Sequence, residues 1–173
     1  ITTQAFKQAD DLIYVIGKTE ADFHGSEIQK MQKNKIEGTL MNFDLETEKK
    51  HQDLVLSAIK AGLVASAHDC SEGGLAIALA EAAFDNELGI EVSLAMPPEN
   101  LFAETQSRFV VSIKPENQQH FEQLMSKAAQ HVGKVTDSKL LRIIAEGQTI
   151  EVETMQAKAV WEEAIPCLMK QKV

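Results

Sequence analysis

A chain of 173 residues, 44% hydrophobic and 25% charged, suffices for one soluble domain with a continuous core. Acidic residues outnumber basic ones 26 to 17, and the net charge of −9 argues against nucleic-acid or membrane binding, which needs Lys/Arg clusters. No run approaches the roughly 18 apolar residues of a membrane span, and the opening residues are not expected to act as a signal peptide. Cys70 and Cys167 have no metal-ligand spacing, so the expected setting is the reducing cytoplasm. The chain opens at Ile1 without a methionine and is expected to be a fragment.

The first apolar, β-branched run, Leu12 to Gly17, predicts a buried strand. A polar turn containing His24 and Gly25 then leads into a short helix over 26–33, with Ser26 as N-cap, and a loop over 34–41. The next helix has the fullest set of signals: Asp44 at the N-cap, Glu46 and Glu48 in the first turn, Gly62 at the end. Its inner stripe is His51, Leu54, Val55, Ala58 and Ile59, with His51 expected to be a partly buried bystander.

Leu63 to Ala67 reads as a buried strand. His68-Asp69-Cys70-Ser71-Glu72 follows as an acidic turn, and Gly73-Gly74 opens a helix that is apolar almost all round to Phe84. Two glycines at a helix start imply close backbone approach. Two readings of this turn stay open. The helix N-terminus attracts anions, and since Asp69 and Glu72 repel a bare phosphate, the anion would arrive on Mg²⁺. Alternatively, Ser71 or Asp69 caps the helix and the glycines permit tight helix–sheet packing. A catalytic Cys70 is disfavoured: a nucleophile elbow needs glycine two places before and after, where His68 and Glu72 stand, and acidic neighbours weaken a thiolate.

Further on, 89–94 alternates like a strand with one wet face. Pro97-Pro98 opens a loop carrying Glu104-Thr105-Gln106-Ser107-Arg108, whose amide, carboxylate and guanidinium could grip a polar ligand or form a salt-bridged surface loop. A strand over 108–113 precedes a helix begun by Pro115, with Phe121, Leu124, Met125 and Ala128 as its stripe. Strands follow over 132–136, 140–145 and 149–152, the last two joined around Gly147. A final helix is capped by Thr154, carries Val160, Trp161, Ala164 and Ile165, and stops at Pro166. The order β-α-α-β-α-β-β-α-β-β-β-α lacks strict βαβ alternation and predicts an α+β domain, a mixed sheet packed with helices, over 1–173.

His68 to Glu81 (HDCSEGGLAIALAE) resembles the C-terminal signature of the formylglycinamide ribonucleotide amidotransferases, or phosphoribosylformylglycinamidine synthases, and in particular their synthetase subunit. Leu101 to Phe109, Tyr14 to Gly17 with Gly25 to Glu27, and Val160 to Cys167 match three further family stretches in the family's order. The resemblance implies the C-terminal domain of the second half of an internally duplicated synthetase, related to aminoimidazole ribonucleotide synthetase. It implies an ATP-dependent, magnesium-assisted reaction of purine biosynthesis: ATP activates the amide oxygen of formylglycinamide ribonucleotide, and glutamine-derived ammonia displaces the phosphate. The implied partners are the preceding domains, a glutaminase subunit and a small bridging subunit.

Carried over by alignment, Asp69 falls on the family's Mg²⁺-binding Asp and Glu104-Thr105-Gln106 on its substrate loop. The family's Gln before that Asp is His68 here, its Gly-Ala is Ser71-Glu72, and His24 replaces the first Gly of Gly-Gly-Ser-Glu. A substrate-binding Gln would fall near Asn42 or Phe43 and is missing. The expectation is therefore a degenerate half-site of His68, Asp69, Ser71, Glu72, Gly73, Gly74, Glu104, Gln106 and Arg108, with Asp69 for a metal and no catalytic residue. The isolated domain is expected to be inactive and prone to self-association. The alternative is a non-catalytic nucleotide-binding or interaction module on the same fold.

Overall fold

The computed structural model describes residues 1–39 and 43–170, the side chains of 164–170 excepted. Asn42, the Ala164, Ile165 and Cys167 side chains, and the end of the loop expected over 34–41 lie outside it. Among the described residues, seven strands form one mixed sheet in the order β2-β4-β1-β5-β3-β6-β7. They are β1 (Leu12–Ile16), β2 (Ser66–Asp69), β3 (Gly89–Leu94), β4 (Phe109–Ile113), β5 (Ala129–Thr136), β6 (Leu140–Ala145) and β7 (Gln148–Glu153). Of the pairings among these strands, β3 with β6 is parallel and the rest are antiparallel. The helices are α1 (Glu27–Lys33), α2 (Leu45–Lys60), α3 (Gly74–Phe84), α4 (Gln118–Met125) and α5 (Thr154–Lys170). Element order and α+β class are those expected.

Alternating side chains divide the core between the two faces of the sheet. Ile13, Val15, Val110 and Val92 pack against Leu75, Leu79 and Phe84 of α3, with Ala157 of α5 at the edge. Tyr14, Ile16, Val111 and Ile113 point the other way, onto Val55 and Ala58 of α2 and Phe121 and Met125 of α4. β1 and β4 are thus covered on both sides, which is why they read as unbroken apolar runs. α3 lies between the sheet, α5 and the 3-10 turn Pro98–Phe102, so its all-round apolar character is met within the chain. Fully burying Leu75, Leu79 and Phe84 contributes about 1.5–3 kcal/mol each.

The helix signals are realised locally. Ser26 Oγ accepts from the Gln29 amide, and Asp44 accepts from Glu46 and Thr47. Gly62, at φ 71°, closes α2 with its N–H on the Ile59 carbonyl and the Leu63 N–H on that of Ala58.

Several boundaries differ from expectation: α4 ends at Met125 with Ala128 in a separate 3-10 turn, and β5 begins at Ala129 rather than 132. β2 begins at Ser66, three residues after the Leu63 amide closes α2 on the Ala58 carbonyl, although the Ala65 amide already donates to the Ser112 carbonyl of β4 at 2.8 Å, and it runs on through His68 to Asp69. Pro115 starts a 3-10 turn (Pro115–Asn117), and α4 follows from Gln118. Thr154 stands at the start of α5, but its buried hydroxyl donates to the Leu88 carbonyl at 2.8 Å. α5 continues through Pro166 to Lys170: proline deletes one backbone donor, and the helix runs on past that loss.

Candidate functional site

The end of β2, the turn before α3 and the loop before β4 converge at one edge of the molecule. The β2–β4 pairing sets Asp69 opposite Phe109, and the Cys70 amide donates to the Arg108 carbonyl at 3.0 Å. The two polar clusters seen in the sequence therefore face each other. Between them runs a groove of about 310 Å³, lined among others by Glu48, Asp69, Ser71, Glu72, Glu104 and Arg108.

Glu104 organises the groove's inner wall. Its Oε1 accepts the Gly73 amide at 2.9 Å and the Glu27 amide at 2.9 Å, closing the N-termini of α3 and α1 with one carboxylate. Neither Ser71 nor Asp69 caps α3; Ser71 Oγ donates to Asp69 Oδ2 at 2.7 Å, which is the main reason the Asp69 carboxyl lies below its ordinary range. The α3 N-cap position is Gly73, at φ 79°. Gly74, at φ 68°, passes so close to the 3-10 turn that a Cβ there would collide with the Ala103 carbonyl and lie 2.9 Å from that of Leu101. The close approach implied by the paired glycines is thus to the chain's own backbone.

Arg108 is 1% exposed. Its Nε donates to the Thr105 carbonyl at 2.9 Å, Nη1 to Thr19 Oγ1 at 2.9 Å and Nη2 to the Ala103 carbonyl at 2.6 Å. Burial lowers its pKa, and the guanidinium serves to shape the 103–107 loop from beneath. Thr105 Oγ1 pins the same loop to the Glu20 backbone, accepting its N–H and donating to its carbonyl at 3.0 Å each. Ser107 Oγ donates to Glu48. Gln106 is the exposed residue of the cluster, its Nε2 donating to the Glu104 carbonyl at 3.3 Å.

His68 lies between Asp69 and α3, its Nδ1 3.7 Å from Asp69 Oδ1. Its Nε2 lies 2.8 Å from Glu81 Oε2, and Glu81 Oε1 accepts the Trp161 indole N–H at 3.0 Å. The helix's one charge is thus held between β2 and α5. Cys70 is half-buried and its thiol is pushed up to about 11 by burial, which keeps it protonated and unreactive at neutral pH.

One Asp69 oxygen takes Ser71, one Glu104 oxygen is spent on two amides, and among the described residues no three His, Cys, Asp or Glu groups converge as ligands.

On the other side of the 105–107 loop lies a larger cleft of about 480 Å³ that the sequence reading missed. It is lined by Lys18, Phe43, Thr47, His51, Gln106 and Lys127, among others. His51, expected to be a bystander, sits on its wall with Nδ1 2.9 Å from the Ser107 carbonyl. Gly17, at φ 85°, admits the loop here: a Cβ would strike the Ser107 carbonyl. The lining comes from four separate stretches of chain, of which Gly17 and the 105–107 loop belonged to recognisable motifs.

The family model for the AIR synthase related protein, C-terminal domain, matches residues 8–146. The phosphoribosylformylglycinamidine synthase subunit PurL of Lacticaseibacillus paracasei is 47% identical over 172 residues, 99% of this chain and 23% of its own length. The chain thus spans about a quarter of the length of the curated relatives it matches. The structure of Thermotoga maritima PurL complexed with FGAR superposes with a TM-score of 0.75 at 21% identity, covering 90% of this chain and 29% of that one. E. coli HypE, a hydrogenase maturation protein, superposes at 0.62 with 17% identity over 89% of this chain and 52% of its own. The last two share the fold; with the family model spanning both halves of the groove, the chain belongs to the family of AIR synthase related protein C-terminal domains.

Proposed function

We propose that this chain is the C-terminal domain of the second half of a phosphoribosylformylglycinamidine synthase synthetase subunit. The carrying observation is 47% identity over 99% of the chain to a subunit of that name; the fold alone cannot carry it, since it recurs in a hydrogenase maturation protein. In the whole enzyme the reaction is the ATP-dependent conversion of formylglycinamide ribonucleotide and ammonia to the amidine, in the cytoplasm, alongside a glutaminase and a small bridging subunit. Thermotoga maritima PurL is known complexed with ATP and with FGAR, and a PurLQS assembly is known from the same organism, which supports this reading.

Within that enzyme the acidic groove is a degenerate half-site. Glu104 and Arg108, which could have gripped a ligand, are consumed in holding the loop and two helix ends, leaving Asp69, Glu72 and Gln106 at the surface. Magnesium accompanies the nucleotide in the whole enzyme, and this chain by itself does not supply its coordination shell.

Two assays test the proposal. The full-length protein encoded with this segment is expected to convert formylglycinamide ribonucleotide, ATP and ammonia to the amidine with release of ADP and phosphate, and the 173-residue chain to show no turnover. A full-length protein with no such activity would overturn the assignment.

A further inference from the structure

We propose that the outer edge of β7 docks an extended basic strand of another polypeptide, which adds to the sheet by backbone pairing. β2 and β7 are the two ends of the seven-stranded sheet. The chain covers the first end itself: Thr3 bridges to Ser66, and the Ala67 amide donates to the Thr3 carbonyl at 3.0 Å. Among the described residues nothing pairs with the second. β6 and β7 meet at a two-residue turn, Glu146 at φ 42° and Gly147 at φ 80°, so Ala145 and Gln148 form its hydrogen-bonded pair. Alternation from there turns the N–H and C=O of Gln148, Ile150 and Val152 toward β6. Those of Thr149 and Glu151, with the Glu153 N–H, point outward. The next residue keeps the same parity, since the Thr154 amide donates to the Lys139 carbonyl beside β6 at 2.9 Å.

Edge strands are commonly blunted by a lysine, a proline or a bulge. β7 has none of these, and its register with β6 is unbroken. Its charge instead has one sign: from 146 to 153 the chain carries three glutamates and no base. Thr149, Glu151 and Glu153 are exposed on one face of the strand, while Ile150 and Val152 on the other are half-buried against the core that holds α3. Arg142 of β6 stands 3.9 Å from Glu151, and among the described residues Glu153 has no ion pair. The β7 of a second copy would lay the same carboxylates beside these, and like charges across a ladder destabilise it. The edge therefore selects a different strand, one with Lys or Arg at alternate positions for the glutamate face. Apolar residues between them would prolong the row of Ile150 and Val152, and the outward backbone groups supply the pairing itself.

Amide hydrogen exchange of the 173-residue chain, followed by NMR at low salt while an acetylated and amidated heptapeptide alternating lysine with valine is added, tests this without reference to the synthetase reaction. Saturable binding is expected, with the Thr149, Glu151 and Glu153 amides becoming protected. Replacing both Glu151→Gln and Glu153→Gln is expected to weaken it about tenfold, through the loss of two cross-strand charge pairs. Thr149→Pro removes an outward donor that the fold does not use, and is expected to weaken it as much. The same peptide with glutamate in place of lysine should not bind. Absence of binding, binding indifferent to either set of substitutions, equal binding of the glutamate peptide, or protection elsewhere while the three amides exchange freely would each overturn the proposal. Failure here leaves the family assignment standing, and an inactive full-length synthetase leaves this edge standing.

Discussion

One oxygen of Glu104 accepts the Gly73 amide at 2.9 Å while also accepting that of Glu27, so a carboxylate 31 positions from one helix start and 77 from the other closes both. Removing it orphans two N-terminal amides at once. Glu104→Ala is expected to cost about 2 kcal/mol, at about 1 kcal/mol for each cap. Glu104→Gln, which keeps an acceptor oxygen, should lose less. Urea unfolding of the two variants checks the ranking.

Gly74 is predicted to be the least replaceable glycine of the groove. At φ 68° a side chain is strained, and here a Cβ also meets two carbonyls of the 3-10 turn. Gly74→Ala is expected to destabilise by about 3 kcal/mol or more. Gly147→Ala, at φ 80° with open space around it, should cost only the backbone strain, about 1 kcal/mol. Thermal unfolding of the pair separates steric collision from conformational strain.

Asp11 is fully buried and, among the described residues, its Oδ2 has no hydrogen-bond partner, while Oδ1 accepts from Gln8 Nε2 at 3.1 Å. Burial raises its pKa, with Lys114 pulling it down and Glu116 pushing it up more weakly. A carboxyl held above its unfolded value of about 3.9 adds stability below that pH and loses it as the pH climbs through the folded value. Relative to the wild type, Asp11→Asn should therefore gain in Tm between acid and neutral pH. A difference that is flat or falls with rising pH would contradict a buried, ionisation-averse Asp11.

Cys70 is expected to resist alkylation. With its thiol pushed up to about 11 by burial, roughly a thousandth is thiolate at pH 8. Site-resolved mass spectrometry after iodoacetamide treatment should show Cys70 labelled far more slowly in the native chain than in urea.

The groove was half legible from residue types. The acidic turn and the Glu104–Arg108 cluster each stand out, but nothing in either shows that Arg108 points inward or that Glu104 is consumed by Gly73 and Glu27. Those outcomes follow from β2 pairing with β4, a contact between stretches some 40 residues apart. His68 looked like part of the site because it precedes Asp69; it is held instead between Asp69 Oδ1 at 3.7 Å and Glu81 of α3 at 2.8 Å.

By itself the sequence determined the order of elements, the α+β class, the caps of α1 and α2 and the family. Each of these rests on spacing within one segment or on a contiguous motif, and local hydrogen bonds and apolar periodicity suffice to write it. Only the tertiary structure decided which polar groups are still free to meet a ligand, that α3 is covered by the chain's own α5, and that β7 ends the sheet. A side chain's availability is set by what packs against it, and those neighbours arrive from distant parts of the chain.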